Sequence, residues 1–190
     1  MAGIAIAGNP NAGKTSLFNH LTGTFQSVGN YPGVTVECKE GVARLDGRRI
    51  RVVDLPGTYS LTAYSQEELV ARDFIIEQGP DLVVDVLDAS NLERHLYLAI
   101  QIMEMGAPLI LALNMVDVAA HRGIAVDHAK LSELLGIPVV PTVGNKGVGV
   151  RELLQQCLDA LDGKLSVAPR PVTYGHEVDE EVDKLAELLS

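Results

Sequence analysis

Gly8-Asn9-Pro10-Asn11-Ala12-Gly13-Lys14-Thr15 follows the pattern G-x-x-x-x-G-K-[ST], a glycine-spaced loop whose backbone N–H groups close around phosphate oxygens. The stretch before it, Ala2-Gly3-Ile4-Ala5-Ile6-Ala7, is short, apolar and strand-like. The stretch after it, Ser16-Leu17-Phe18-Asn19-His20-Leu21, reads as a helix ended by Gly23. Strand, glycine loop and helix are the context the pattern needs. The glycines let the backbone approach the phosphates, and the helix N-terminus adds partial positive charge. Lys14 is expected to reach the β- and γ-phosphates of a nucleotide, and the Thr15 hydroxyl to ligate Mg2+.

Downstream, the hydrophobic period alternates between strand and helix. Residues 24–36 carry two Gly and a Pro with no clear period and read as a long mobile loop, a kind of segment that is usually functional in a compact domain. Residues 37–45 and 48–54 are strand-like and joined by Asp46-Gly47, a hairpin signal. Residues 66–77 form a helix stopped by Gly79-Pro80, and Leu82 to Leu87 a buried strand. From Asn91 the period is helical, with Leu92, Leu96, Ala99, Ile100 and Met103 on one face. Pro108 to Leu113 is a strand ending at Asn114. A helix capped by Asp127 runs to Gly136 with Leu131, Leu134 and Leu135 inward, and Ile137 to Val140 is the last strand. Val150 to Leu161 is a helix with Leu153, Leu154, Cys157, Leu158 and Leu161 in one stripe. The alternation predicts an α/β fold: a six-stranded, mostly parallel sheet with one antiparallel edge strand and helices on both faces. Its ligand belongs at the C-terminal ends of the strands.

Residues 1–165 are expected to form this domain, and 166–173, with two prolines, a linker. Residues 174–190 restart a helix with Tyr174, Val178, Val182, Leu185 and Leu189 on one face and an acidic opposite face, the expected beginning of a truncated helical domain.

The chain has 190 residues, 47% of them apolar, and a net charge of −10. That charge argues against a nucleic-acid footprint, which needs a basic face. Cys38 and Cys157 fit no metal spacing and read as a strand residue and a core thiol. The five histidines, His20, His95, His121, His128 and His176, pair with no Cys or carboxylate at ligand spacing, so no transition-metal site is expected. Met1-Ala2-Gly3 leads directly into the first strand with no signal peptide, and no run of 18 apolar residues occurs.

Three further signals narrow the chemistry. Asp54-Leu55-Pro56-Gly57 ends a strand; Asp54 is placed to hold Mg2+ through water, and the Gly57 N–H to donate to a γ-phosphate. Asn114-Met115-Val116-Asp117 ends a later strand. The Asp117 carboxylate can accept from the guanine ring N–H and exocyclic amine together, a pairing adenine does not offer, while Asn114 orients the loop. Thr35, in the mobile loop, can complete the Mg2+ shell when a γ-phosphate is present, which makes the loop an order–disorder switch.

These motifs resemble a P-loop GTPase (Ras-like) domain of the translation-factor-like class over about residues 1–165. Gly8 to Asn19, Asn30-Tyr31-Pro32-Gly33-Val34-Thr35-Val36-Glu37, and Asp54 to Leu61 resemble more closely the cytosolic N-terminal domain of the bacterial ferrous-iron transport protein B (FeoB) family. The resemblance implies a domain that binds GTP and GDP and hydrolyses GTP with Mg2+. The resemblance also implies a place on the cytoplasmic face of the bacterial inner membrane, with a helical domain and then a membrane-spanning transporter region following in the same protein. The implied nucleotide-binding residues are Gly8, Asn9, Pro10, Asn11, Ala12, Gly13, Lys14, Thr15 and Ser16; Gly33, Val34 and Thr35; Asp54, Leu55, Pro56 and Gly57; Asn114, Met115, Val116 and Asp117; and Thr142, Val143 and Gly144. Lys14, Thr35, Gly57 and Asn11 are the catalytic candidates. In related GTPases an Asn at position 11 holds K+ against the phosphates, in place of an arginine finger.

Two departures stand out. Where the family often has Ser-Ala, this chain has Val143-Gly144, so faster GDP release is expected. Where many small GTPases have a water-positioning glutamine, this chain has Thr58, so slow intrinsic hydrolysis is expected; Glu67 and Glu68 read as a solvated helix face. An RNA- or ribosome-associated GTPase, and a regulatory GTP-binding module with little hydrolysis, remain alternatives. Self-association stays open.

Overall fold

The computed structural model describes residues 3–23, 26–31, 34–170 and 173–189. Seven strands form one sheet: β1 (Gly3–Gly8), β2 (Gln26–Asn30), β3 (Glu37–Leu45), β4 (Arg48–Asp54), β5 (Leu82–Asp88), β6 (Leu109–Asn114) and β7 (Val139–Pro141), in the order β2-β3-β4-β1-β5-β6-β7. β4, β1, β5, β6 and β7 pair in parallel, while β2 with β3 and β3 with β4 pair antiparallel. The expected α/β class, mostly parallel sheet and Asp46-Gly47 hairpin are all present.

The central strands are apolar on both sides because both sides are covered. Ala5, Ala7, Val83, Leu87, Leu109, Leu111 and Leu113 point into one core, and Ile4, Ile6, Leu82, Val84, Val86, Ile110 and Ala112 into the other. The first core is closed by α2 (Gln66–Asp73), which continues as a π-helical turn (Phe74–Gln78), by α3 (Leu92–Glu104), and by α4 (Val116–His121) and α5 (His128–Leu135). The second is closed by α1 (Lys14–Thr22) and α6 (Val150–Leu161), through Leu17, Phe18, Leu21, Leu153, Leu154, Cys157 and Leu158. Burial pushes the Cys157 thiol up to about 12, as befits an inert core sulfur.

Five features differ from expectation. The sheet has seven strands because part of the supposed loop 24–36 is β2; all five of its residues are exposed, so no apolar alternation marks it. In α3 the fully covered face is His95, Leu98, Ala99, Ile102 and Met103, while Leu92 and Leu96 only flank it. In α5, Leu134 is 65% exposed. The helix α4, six residues long, was not foreseen, and β7 starts at Val139 rather than Ile137.

Beyond α6, the Leu109 N–H donates to the Val167 carbonyl at 2.9 Å, and Val167 packs on the second core. The last helix, α7 (His176–Leu189), starts two residues after Tyr174, and Tyr174 before it and Val178, Val182 and Leu185 within it are all between 50% and 60% exposed. Among the described residues no helix is long and apolar enough to cross a membrane.

Candidate functional site

The C-terminal ends of β1, β4, β6 and β7 bring the sequence motifs to one edge of the sheet. β1 ends at Gly8, where a Cβ would sit 2.8 Å from the Val86 carbonyl oxygen. Asn9 is buried, and neither atom of its amide meets a hydrogen-bond partner among the described residues. The loop closes with the Ala12 N–H donating to the Asn9 carbonyl at 3.1 Å, and Asn11 is exposed with φ 67. Gly13, at φ 87, caps α1 without a side-chain acceptor. The first-turn N–H groups of Lys14, Thr15 and Ser16 therefore have no intrahelical partner and are available to an anion. A Cβ at Gly13 would collide with the Asn114 amide, so only glycine fits there.

Lys14 Nζ forms an ion pair with Asp54 Oδ1, and both side chains are nearly buried. Burial pushes the Asp54 carboxyl above its ordinary range, against the pull of the Lys14 ammonium. Asp54 is also held through its backbone, since the Tyr31 hydroxyl donates to the Asp54 carbonyl at 3.0 Å. Tyr31 is buried edge-on to Phe74, with ring centroids 6.1 Å apart. Its N–H donates to the Val36 carbonyl and its carbonyl accepts from the Val34 N–H. These bonds close the turn that carries Thr35, which is exposed. Gly33 lies outside the described residues.

Leu55 is buried, and its N–H donates to the Ile6 carbonyl at 2.9 Å. Past Pro56, Gly57 faces Pro10 so closely that a Cβ would lie 3.4 Å from the proline backbone. Thr58 is buried and turned into its own loop: its hydroxyl donates to the Ser60 carbonyl and accepts from the Ser60 N–H. The segment is pinned to α3 by Gln101, which accepts from the Leu61 N–H at 2.8 Å, and by Arg94, whose guanidinium lies 4.1 Å from the Tyr59 ring centroid. Glu68 is not an idle solvated side chain. Its carboxylate accepts from the Ser60 hydroxyl at 2.8 Å, the Tyr64 N–H at 2.9 Å and the Thr62 hydroxyl at 3.4 Å.

Asn114 ties the two halves of the site together. Buried at the end of β6, it donates from Nδ2 to the Ala12 carbonyl of the phosphate loop at 2.8 Å. Its Oδ1 accepts from the Gly144 N–H at 2.8 Å and from the Thr142 hydroxyl at 3.2 Å. Met115, at φ 59, turns the chain into α4, and Val116 follows with its N–H directed at the Thr142 carbonyl at 3.5 Å. That turn places Asp117 in the first turn of the helix. Val143 is buried and bridges to Val148, which closes the short loop around Gly144.

The structure brings the phosphate loop, Asp54 to Gly57, Asn114 to Asp117 and Thr142 to Gly144 to one edge of the sheet, and ties the turn of Thr35 to Asp54 through Tyr31. It adds Glu68, through its local bonds, and Tyr31, Gln101 and Lys146, whose Nζ donates to Asp117 Oδ2 at 2.7 Å, through contacts across the fold. Among the described residues, no three of His, Cys, Asp and Glu converge on a point.

A family model described as ferrous iron transport protein B matches residues 2–157. The chain is 47% identical over 189 residues to the Fe(2+) transport protein A/Fe(2+) transporter FeoB fusion protein of Porphyromonas gingivalis, covering 98% of this chain and 22% of that protein. To the Fe(2+) transporter FeoB of Escherichia coli K12 it is 45% identical over 190 residues, covering 98% and 24%. It therefore spans about a quarter of the length of these relatives. The cytosolic domain of the Thermotoga maritima FeoB iron transporter in its GMPPNP form matches with a TM-score of 0.93 at 44% identity, over 100% of this chain and 74% of that one. An E67A mutant of S. thermophilus NFeoB bound to GDP matches with a TM-score of 0.92 at 42% identity, over 100% and 73%. With the family model covering most of its length, the chain belongs to the ferrous iron transport protein B (FeoB) family, as its N-terminal G domain.

Proposed function

We propose that this domain binds GTP and GDP with Mg2+, hydrolyses GTP, and couples its nucleotide state to ferrous iron movement through the longer protein on whose cytoplasmic side it sits. The observation that carries the reading is Asn114. One buried amide joins the phosphate loop at Ala12 to the base loop at Gly144, so phosphate and guanine recognition share one rigid frame. The solved relatives that hold GDP or GMPPNP support it.

The residues present fit Mg2+, which takes oxygen donors and keeps part of its water. Thr15 in the first turn of α1 and Thr35 in the turn beyond Tyr31 offer exposed hydroxyls, and Asp54, paired with Lys14, a nearly buried carboxylate. When bound, the ion offsets charge on the β- and γ-phosphates. Lys14 would leave Asp54 for those phosphates and free the carboxylate, which would help to hold the ion. Gly57 donates its N–H to the γ-phosphate. Asp117 accepts from guanine, and the backbone of Thr142, Val143 and Gly144 surrounds the base oxygen. Asn11, exposed and in left-handed backbone, is the residue we propose to hold K+ beside the phosphates. Thr58 has its hydroxyl committed to Ser60, so slow intrinsic turnover follows. Residues 174–190 open a separate helical unit.

The test is single-turnover GTP hydrolysis in Mg2+ buffer with K+ or Na+ as the only monovalent cation. Stimulation by K+, abolished in Asn11→Ala, is expected. Equal rates in both salts remove K+ from the mechanism; negligible rates in both, with tight GTP binding, leave a switch module that does not itself hydrolyse.

A further inference from the structure

The base-recognition carboxylate is already engaged. Asp117 Oδ1 accepts from the Val118 N–H at 3.0 Å, and Oδ2 accepts from Lys146 Nζ at 2.7 Å. The Lys146 ammonium holds the carboxyl below its ordinary range. Neither partner hangs on a loose segment. Lys146 ends a short 3-10 turn (Gly144–Lys146); its N–H donates to the Val143 carbonyl at 2.9 Å, and the turn is fixed at Gly144 by Asn114. Gly147, at φ 68, then turns the chain tightly against the His20 ring. Asp117 is placed by the same Asn114 through β6 and Met115. Two anchored backbones therefore aim opposite charges at each other across the base pocket.

We propose that Lys146 is an internal competitor of guanine: it holds Asp117 while the base pocket is empty and yields it when the guanine N–H donors arrive, so it sets how firmly and how long the nucleotide is held. The proposal rests on the reading of Asp117 as the guanine acceptor. Bidentate pairing needs a lone pair on each carboxylate oxygen, directed at two N–H groups. An ammonium on Oδ2 carries the same sign as those groups and opposes their approach. Lysine suits a competitor that must let go: its charge is compact, its stem is flexible, and its side chain is 60% exposed, so it swings into water at little cost. Arginine, with a planar fork matched to a carboxylate, yields less readily.

The experiment measures affinity and release of a fluorescent GDP in the full domain with Lys146 replaced. Because exposed ion pairs are weak, Lys146→Met should tighten GDP and slow its release by about two- to five-fold, and Lys146→Arg should loosen GDP below wild type. Lys146→Met with unchanged or faster release overturns the proposal, since Lys146 then ignores or supports the bound base. Asp117→Asn, probed with xanthosine diphosphate, whose C2 carbonyl replaces the amine, supplies the control. In that background Lys146→Met should change nothing; an equal effect there also overturns the proposal. If Asp117→Asn holds GDP as well as wild type, the assignment of Asp117 itself fails. If it loses GDP while Lys146→Met is silent, only the competitor role fails.

Discussion

Gly144 sits where a side chain meets resistance: a Cβ there would lie 3.2 Å from Asn114 Oδ1, the same oxygen that accepts the Gly144 N–H. The residue beside it has no such limit. Val143 is buried, but it offers the nucleotide only its backbone, because its side chain carries no donor. Val143→Ser adds a hydroxyl without crowding Asn114. One added hydrogen bond is worth about 1 kcal/mol, so GDP release should slow by roughly five-fold. An unchanged off-rate in a stopped-flow displacement assay would mean that the base oxygen is held from elsewhere.

Between Gly57 and α2, the site depends on one carboxylate. Ser65 caps α2 by accepting the Glu68 N–H at 3.1 Å, and Glu68 reaches back to Ser60, Thr62 and Tyr64. The Ser60 hydroxyl, above all, holds the Glu68 carboxyl below its ordinary range. Glu68→Ala removes the three bonds of its carboxylate, keeps the Ser65 cap, whose donor is the backbone N–H, and leaves Gln101 and Arg94 as the remaining anchors of the loop. Each lost bond is worth about 1 kcal/mol. The expected result is faster amide hydrogen exchange over residues 58–66, with GDP affinity unchanged because none of these bonds reaches the phosphate loop. Unaltered exchange would show that α3 alone fixes the loop. Nothing in the spacing of Ser60, Thr62 and Glu68 announces this arrangement, and the same holds for much of the site. The motifs are legible because each ends an apolar strand, and strands such as β5 and helices such as α6 declare themselves by their period. Links made across the fold, Lys14 to Asp54, Asn114 to Ala12 and Asp117 to Lys146, have no period to read. β2 escaped notice for a related reason: an exposed edge strand is held by its ladder with β3 rather than by burial. The α3 stripe was displaced because His95, a polar residue, takes a core position.

At the scale of the whole domain, the buried sheet contains one polar residue that the proposed chemistry leaves unused. Asp85 lies in the middle of β5, opposite Ala7 on β1 and Leu111 on β6, and it is 1% exposed. Neither carboxylate oxygen meets a hydrogen-bond partner among the described residues. Burial pushes the carboxyl up to about 7, whereas an unfolded aspartate titrates near about 3.9. Below that lower value the group is protonated in both states and ionisation costs folding nothing. Between the two values the unfolded chain releases its proton and the folded domain keeps it, so stability falls as pH rises, by about 1.4 kcal/mol per pH unit and by about 4 kcal/mol in all near pH 7. Asp85→Asn retains the shape and has no proton to release. Its thermal midpoint should exceed wild type at pH 8, and the gap should narrow steadily below about pH 7 and close at about pH 4. Parallel midpoint profiles for the two proteins would show that the carboxylate is stabilised inside the fold, and that the polar residue at the centre of the sheet costs the domain nothing.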